Sequence, residues 1–243
     1  MGRVAEKRLV RKLDLEMFLS RIRLHPSPKA SLEQYTVPAD VAARILYIAA
    51  YTYDDIVGKT VLDLGCGTGR LALAASFLGA KQTVGVDIDK TSIKVALENS
   101  IKTGLESKVQ WVTADINAVS GKFDTVLQNP PFGVQRRKAD RKFLEKALEV
   151  GRVTYSLHKN PNKGKELIER LRNSRTDVMQ TSSSPFIEKF VEEHNGTVKA
   201  VYAMLMPIPR MFDFHTKRKH EFVVDLYVIE GSRKGSKPRD RFY

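Results

Sequence analysis

Apolar residues recur at roughly helical spacing near the start of the chain, as Val4, Leu9, Leu13, Met17 and Phe18 with Lys and Arg between them. The spacing predicts a helical N-terminal extension over residues 1–31. HPSPKASLEQYTVPAD (25–40) breaks the pattern with three prolines, and VAARILYIAAYTYD (41–54) resumes it. From residue 60 the period changes. Short apolar runs at TVLDL, QTVGVD, KVQWVTAD, FDTVLQ and RVTYSLHK predict strands, and amphipathic segments between them predict helices. Such alternation implies an α/β fold whose mostly parallel sheet is covered on both faces. TVKAVYAMLMPIP (197–209) and EFVVDLYVIEG (221–231) have no helical pattern between them and predict an antiparallel pair, giving seven strands. NPNKGKELIERLRNSRTDVMQT (160–181) reads as an insertion without an evident role. Residues 32–231 form the expected main domain, and 232–243 a basic tail.

Charge then narrows the partners. A formal net charge of +13 over 243 residues favours a polyanion, nucleic acid or an anionic membrane surface. One cysteine, Cys66, excludes an internal disulfide framework and a multi-cysteine metal site. The N-terminus is charged throughout, unlike a signal peptide, and no apolar run approaches a membrane span. A soluble cytoplasmic protein is expected.

Ligands of open parallel sheets bind beyond the carboxyl ends of the strands, so those ends carry the candidate chemistry. After the first strand lies DLGCGTG, with Gly65, Gly67 and Gly69 in G-x-G-x-G spacing rather than the G-x-G-x-x-G of dinucleotide-binding turns. Asp63 before the glycines suits a cationic or amino-bearing ligand better than a pyrophosphate. Asp87, after the second strand, is placed to hold ribose hydroxyls, and Asp115, after the third, to accept from an adenine amino group while Ile116 packs on the ring. Together these describe a pocket for a nucleoside without phosphates. After the fourth strand comes Asn129-Pro130-Pro131-Phe132. The prolines end the strand and leave a rigid loop presenting an amide, backbone carbonyls and a ring.

DLGCGTG and NPPF resemble the first and the amino-methylating motifs of class I S-adenosylmethionine-dependent methyltransferases, which have a Rossmann-like fold. LEQYTVPADVAARIL, YSLHK and PRMFDFHTKRKHEFVVDL resemble the archaeal and eukaryotic methyltransferase-like enzymes that methylate adenine N6 in small-subunit ribosomal RNA. The resemblance implies S-adenosylmethionine as cofactor, contacted by Gln34 and Val37 of a covering segment, by Asp63, Gly65, Thr68, Gly69 and Arg70 of the first motif, and by Asp87, Ile88, Asp115, Ile116 and Asn129. It implies catalysis by Asn129, Pro130, Pro131 and Phe132, and a small zinc-binding activator protein that adds a strand to a sheet edge.

The chemistry fits an amine acceptor. Two N–H bonds from adenine N6, to the Asn129 side-chain oxygen and the Pro130 carbonyl, would draw the nitrogen toward tetrahedral geometry and free its lone pair, with Phe132 stacking on the base. A protein glutamine-N5 methyltransferase poses the same nucleophile problem, and a non-catalytic RNA-binding module could keep the same fold. HTKRKH and RRKADRKF are candidate phosphate-tracking segments. His158 and His215 lack partners at metal spacing and read as structural, and Cys66 as a packing residue.

Overall fold

A computed structural model of the chain describes residues 9–132, 139–160, 165–174, 177–209 and 219–231. After helices α1 (Lys12–Ser20) and α2 (Ala39–Tyr47), β1 (Thr60–Leu64), β2 (Gln82–Asp87), β3 (Val109–Thr113), β4 (Phe123–Gln128) and β5 (Gly151–Lys159) alternate with α3 (Arg70–Phe77), α4 (Lys90–Thr103) and α5 (Ala139–Val150). Helix α6 (Lys165–Asn173), β6 (Val178–Thr181), α7 (Pro185–Glu193), β7 (Thr197–Pro209) and β8 (Lys219–Glu230) follow. The expected second helix runs shorter than its apolar pattern, turning π-helical over Ile48–Thr52.

The sheet order is β3-β2-β1-β4-β5-β8-β7-β6. The first five strands pair in parallel, and β8, β7 and β6 join antiparallel. The α/β, Rossmann-like expectation holds, and so does the antiparallel β7–β8 pair. The strand number differs: eight strands are described, not seven, because Val178–Thr181 of the expected insertion pairs with Val201–Met204 as an edge strand. Four residues of mixed polarity give no period to read.

Period-two alternation divides the strands between two faces. Val61 and Leu127 join one cluster with Leu15, Leu19, Val41, Ile45 and Leu73 from α1, α2 and α3. Leu62, Leu64 and Val126 join the other, with Ala147 and Val150 from α5. The N-terminal helix is part of this construction: Leu15 and Leu19 are fully buried, and Phe18 stacks on Phe77 at 4.2 Å. Each buried leucine contributes about 1.5–3 kcal/mol of apolar transfer.

The chain runs β1–β2–β3 toward one edge and then returns to place β4 on the other side of β1. Such a reversal parts the connections at the carboxyl ends and opens a crevice. Register puts Leu64 beside Val86 on one side and Gln128 on the other. The glycine turn, Asp87 and Asn129 therefore come together.

Candidate active site

The crevice is a cavity of about 460 Å³. That volume suits a small organic ligand. Its walls come from the ends of β1, β2, β3 and β4, from residues 31–37, and from the first turns of α5.

Glycine is needed in the first loop for two different reasons. Gly65 has φ +74°, and a Cβ there would meet Phe143 Cε1 at 2.7 Å, so the turn and the aromatic ring of α5 close on each other. Gly69 has φ +84°, and a Cβ there would collide with the indole of Trp111. Gly69 thus does not line the cavity; it makes room for Trp111, whose Nε1 donates to Ser100 Oγ at 3.2 Å. Between the two, the Gly67 N–H donates to Asp87 Oδ2 at 2.8 Å.

Asp63 lines the cavity and also accepts from the Ala72 N–H at 2.8 Å, where a carboxylate complements the start of α3. Burial pushes its carboxyl up to about 7, against the pull of that N–H. Asp87 lines the same space with both oxygens already engaged, Oδ2 by Gly67 and Oδ1 by the Asp89 N–H at 2.9 Å. Burial pushes its carboxyl up as well. Asp115 is exposed and accepts from the Asn117 N–H at 2.8 Å, while Ile88 and Ile116 supply apolar lining. Thr68 lines the cavity too, its carbonyl accepting from Asn99 Nδ2 at 3.0 Å.

Residues 22–37 cross this space and are tied down repeatedly. Arg23 exchanges hydrogen bonds with the Asn99 side chain, at 2.9 Å from its N–H and 3.0 Å to its carbonyl. Arg70, expected at the cofactor, lines the cavity, and its guanidinium donates to the carbonyls of Val37 at 2.6 Å and Ile22 at 3.5 Å. Burial lowers its pKa to about 10, so it remains a cation at neutral pH. Val37 and Gln34 line the cavity, but the Gln34 amide is used within the protein: Oε1 accepts from the Lys29 N–H at 2.7 Å and Nε2 donates to Asp89 Oδ2 at 2.8 Å.

On the acceptor side, Asn129 Nδ2 donates to the Tyr35 carbonyl at 3.1 Å. Its Oδ1 is buried with no partner among the described residues, although Asn129 lines the cavity. A buried acceptor left unpaired costs about 1–3 kcal/mol, which marks a group kept for a ligand. Pro131 lines the cavity; Pro130, buried between Asn129 and Pro131, is not part of its lining. Phe132 also stays out of the lining and meets Phe222 edge-on, centroids 5.6 Å apart.

Ser92 and Asn117 line the cavity without having been singled out in the sequence, and Lys142 and Phe143, part of a candidate phosphate-tracking segment, line it too. Phe143 and Lys142 lie on the helix after the NPPF loop, and only the closing of α5 onto Gly65 brings them in. His158 is structural: Ser156 Oγ and its Nε2 are 2.8 Å apart, its ring meets Tyr227 edge-on, and burial lowers its pKa to about 4. Cys66 is buried, and burial pushes its thiol up, away from reactivity. His215, Lys217, Arg218 and residues 136–138 lie outside the described residues, and so does the tail 232–243. Among the described residues, no group of three or more metal-ligating side chains occurs, and no helix is long and apolar enough to cross a membrane.

Comparison with known proteins agrees with this fold. The family model for ribosomal protein L11 methyltransferase matches residues 46–130. An uncharacterized protein of Methanocaldococcus jannaschii is 38% identical, covering 91% of this chain and 95% of its own length. The rRNA N6-adenosine-methyltransferase of Drosophila melanogaster is 33% identical, covering 89% of this chain and 94% of its own. A solved structure from Pyrococcus horikoshii, described as a candidate RNA methyltransferase, is 36% identical with a TM-score of 0.76 and covers 92% of this chain and 99% of that one.

Proposed function

The chain belongs to the rRNA N6-adenosine-methyltransferase family, and from that premise we propose that it transfers a methyl group from S-adenosylmethionine to N6 of an adenine in small-subunit ribosomal RNA. The observation that carries the reading is the Asn129 amide, fixed through its nitrogen and presenting an unpaired, buried oxygen at the cavity.

The residues present fit the methyl donor. Carboxylates of Asp63 and Asp87 suit a ligand that is cationic and bears ribose hydroxyls, and Gly65 leaves room for close approach. S-adenosylmethionine, when bound, supplies an electrophilic methyl on a sulfonium. The protein's task is to make a poor nucleophile ready. Adenine N6 shares its lone pair with the ring. Asn129 Oδ1 and the Pro130 carbonyl accept its two N–H bonds, drawing the nitrogen toward tetrahedral geometry before reaction. The prolines hold these acceptors in place, so little reorganisation remains. No strong base is needed, because the amine proton becomes acidic only as the new bond forms. Reaching N6 requires an unpaired or flipped base, for which Phe132 is the proposed stacking surface.

Residues 32–231 are proposed as the methyl-transfer unit, with α1 packed onto it. The activator subunit implied by the family resemblance is proposed to dock at β3. Among the described residues that strand pairs with β2 alone and carries exposed Val112, and α4, which packs against it, carries exposed Leu97 and Ile101. Main-chain pairing along such an edge is β-augmentation.

The test is transfer of labelled methyl to ribosomal RNA, followed by digestion to nucleosides. The expected product is N6-methyladenosine in the small-subunit RNA. Label that survives nuclease but is lost with protease would sink this reading in favour of glutamine-N5 methylation. Label confined to large-subunit RNA would overturn the choice of subunit alone.

A further inference from the structure

Asp89 begins α4 two residues beyond the cavity-lining Asp87, and its carboxylate, 4% exposed, gathers donors from separate parts of the chain. Oδ2 accepts from Gln34 Nε2 at 2.8 Å and from Ser92 Oγ at 3.4 Å, and pairs with His25 Nε2 at 3.0 Å. Oδ1 accepts from Lys29 Nζ at 3.1 Å and the Thr91 N–H at 3.3 Å. Burial alone would favour protonation, yet these hydrogen bonds, from Gln34 and Lys29 foremost, hold the carboxyl down to about 2. Capping α4 requires only the Thr91 contact. The other partners come mainly from residues 25–34.

The tie to residue 34 reaches the reaction. Gln34 is fixed at both ends of its amide, and the turn before it is tight: Glu33 is left-handed at φ +49°, with the Tyr35 N–H on the Glu33 carbonyl at 2.7 Å. The direction of the Tyr35 carbonyl is therefore set by its neighbour's anchor. That carbonyl takes Asn129 Nδ2 and so decides which way Asn129 Oδ1 faces. We propose that Asp89 is a positioning residue for methyl transfer, which acts through Gln34 and the Tyr35 carbonyl to orient the Asn129 amide. The same residue's N–H holds Asp87, so the donor and acceptor sides of the cavity share one anchor. The proposal rests on the reading of Asn129 given above.

Asp89→Asn keeps a good helix cap but places an amide N–H₂ among donors. Gln34→Leu cuts the same link, with its weaker contact to Ser92, and leaves the Asp89 cap on the Thr91 N–H in place. Hydrogen exchange of the protein without RNA should show both variants losing protection across residues 29–37, with α4 and β1 unchanged. Each should lower kcat about ten- to hundredfold while leaving RNA Kd in place, as expected for a misplacement of about 1 Å. In an Asn129→Ala background neither should lower kcat further by more than about twofold, because the group they orient is gone. Losses that multiply with Asn129→Ala, unchanged exchange over 29–37, or equal deprotection of α4 would each overturn the proposal. No adenine methylation by the wild-type protein would instead overturn the functional reading beneath it.

Discussion

Asp87 and Asn129 both line the cavity, one at the end of β2 and the other just past β4, and they are held by different means. Asp87 receives an N–H on each oxygen, both from backbone within the adjoining loops. Asn129 is held only through its nitrogen, by a carbonyl ninety-four positions away, and its oxygen is left unpaired. On the donor side the two backbone donors to Asp87 lie two and twenty positions away. The acceptor side depends on a distant segment and keeps Asn129 Oδ1 unpaired among the described residues, as the donor side does Thr68 Oγ1. A pair of backbone donors serves binding, whereas a single oriented acceptor serves the transition state, where a preorganised contact has most effect.

The sharpest way to break this contrast is to remove each group. Asn129→Ala should lower kcat about 10²–10³-fold, the range for losing one preorganised transition-state contact. Its cofactor affinity should barely move. Asp87→Ala should weaken cofactor binding first, as read by titration calorimetry. Near-normal turnover by Asn129→Ala would show that the unpaired oxygen is not the reacting acceptor.

A second test separates the glycines. Gly69→Ala combines a left-handed backbone penalty of about 1–2 kcal/mol with about 1–3 kcal/mol of overpacking against Trp111. Denaturant unfolding should therefore report a loss of a few kcal/mol. A variant with full stability but lost cofactor binding would return Gly69 to the cavity wall.

The donor side also has a pH signature. With the Asp63 carboxyl at about 7, a cationic ligand should bind more tightly as pH rises from 6 to 8, since binding favours the ionised form. Asp63→Asn should remove that dependence in a titration repeated across the range.

The smallest effect concerns His158, away from the cavity. Burial holds its imidazole near 4, below the ordinary value of about 6.5, so the unfolded chain takes up the proton first. Its contribution to stability is complete above pH 6.5 and is lost as pH falls toward 4, at no more than about 1.4 kcal/mol per unit. His158→Gln should flatten the fall in Tm over that window relative to wild type. A parallel fall would remove His158 from the acid response.

The donor side was the more legible in sequence for the same reason that it is locally held. Asp63, Gly65 and Asp87 follow apolar runs within a few residues, so strand ends and chemistry could be read together. Gly69 could not be told from Gly65, because nothing local says which glycine faces a ligand and which faces Trp111. Arg70 and Gln34 were placed at the cofactor and both line the cavity, but nothing local shows that Arg70 also donates to Val37 and Ile22, or Gln34 to Asp89. Asp89, Lys142 and Phe143 matter through contacts that span the chain. Helix α7 did carry a signal, Ser184-Pro185 followed by Phe186, Ile187, Phe190 and Val191 at helical spacing. Strand β6 carried none, since an edge strand of four residues takes its identity from its partner.

Trp111 has a further use. It is the chain's one tryptophan, half-buried, with its ring against Gly69 and Gly85 and its indole N–H on Ser100. Excited at the red edge of protein absorption, it is the only side chain that emits appreciably, and its colour follows the polarity around the ring. The glycine turn therefore carries its own optical reporter. Loosening of that turn by substitution, temperature or denaturant can be followed in the unlabelled protein, separately from the tyrosine-rich remainder of the sheet.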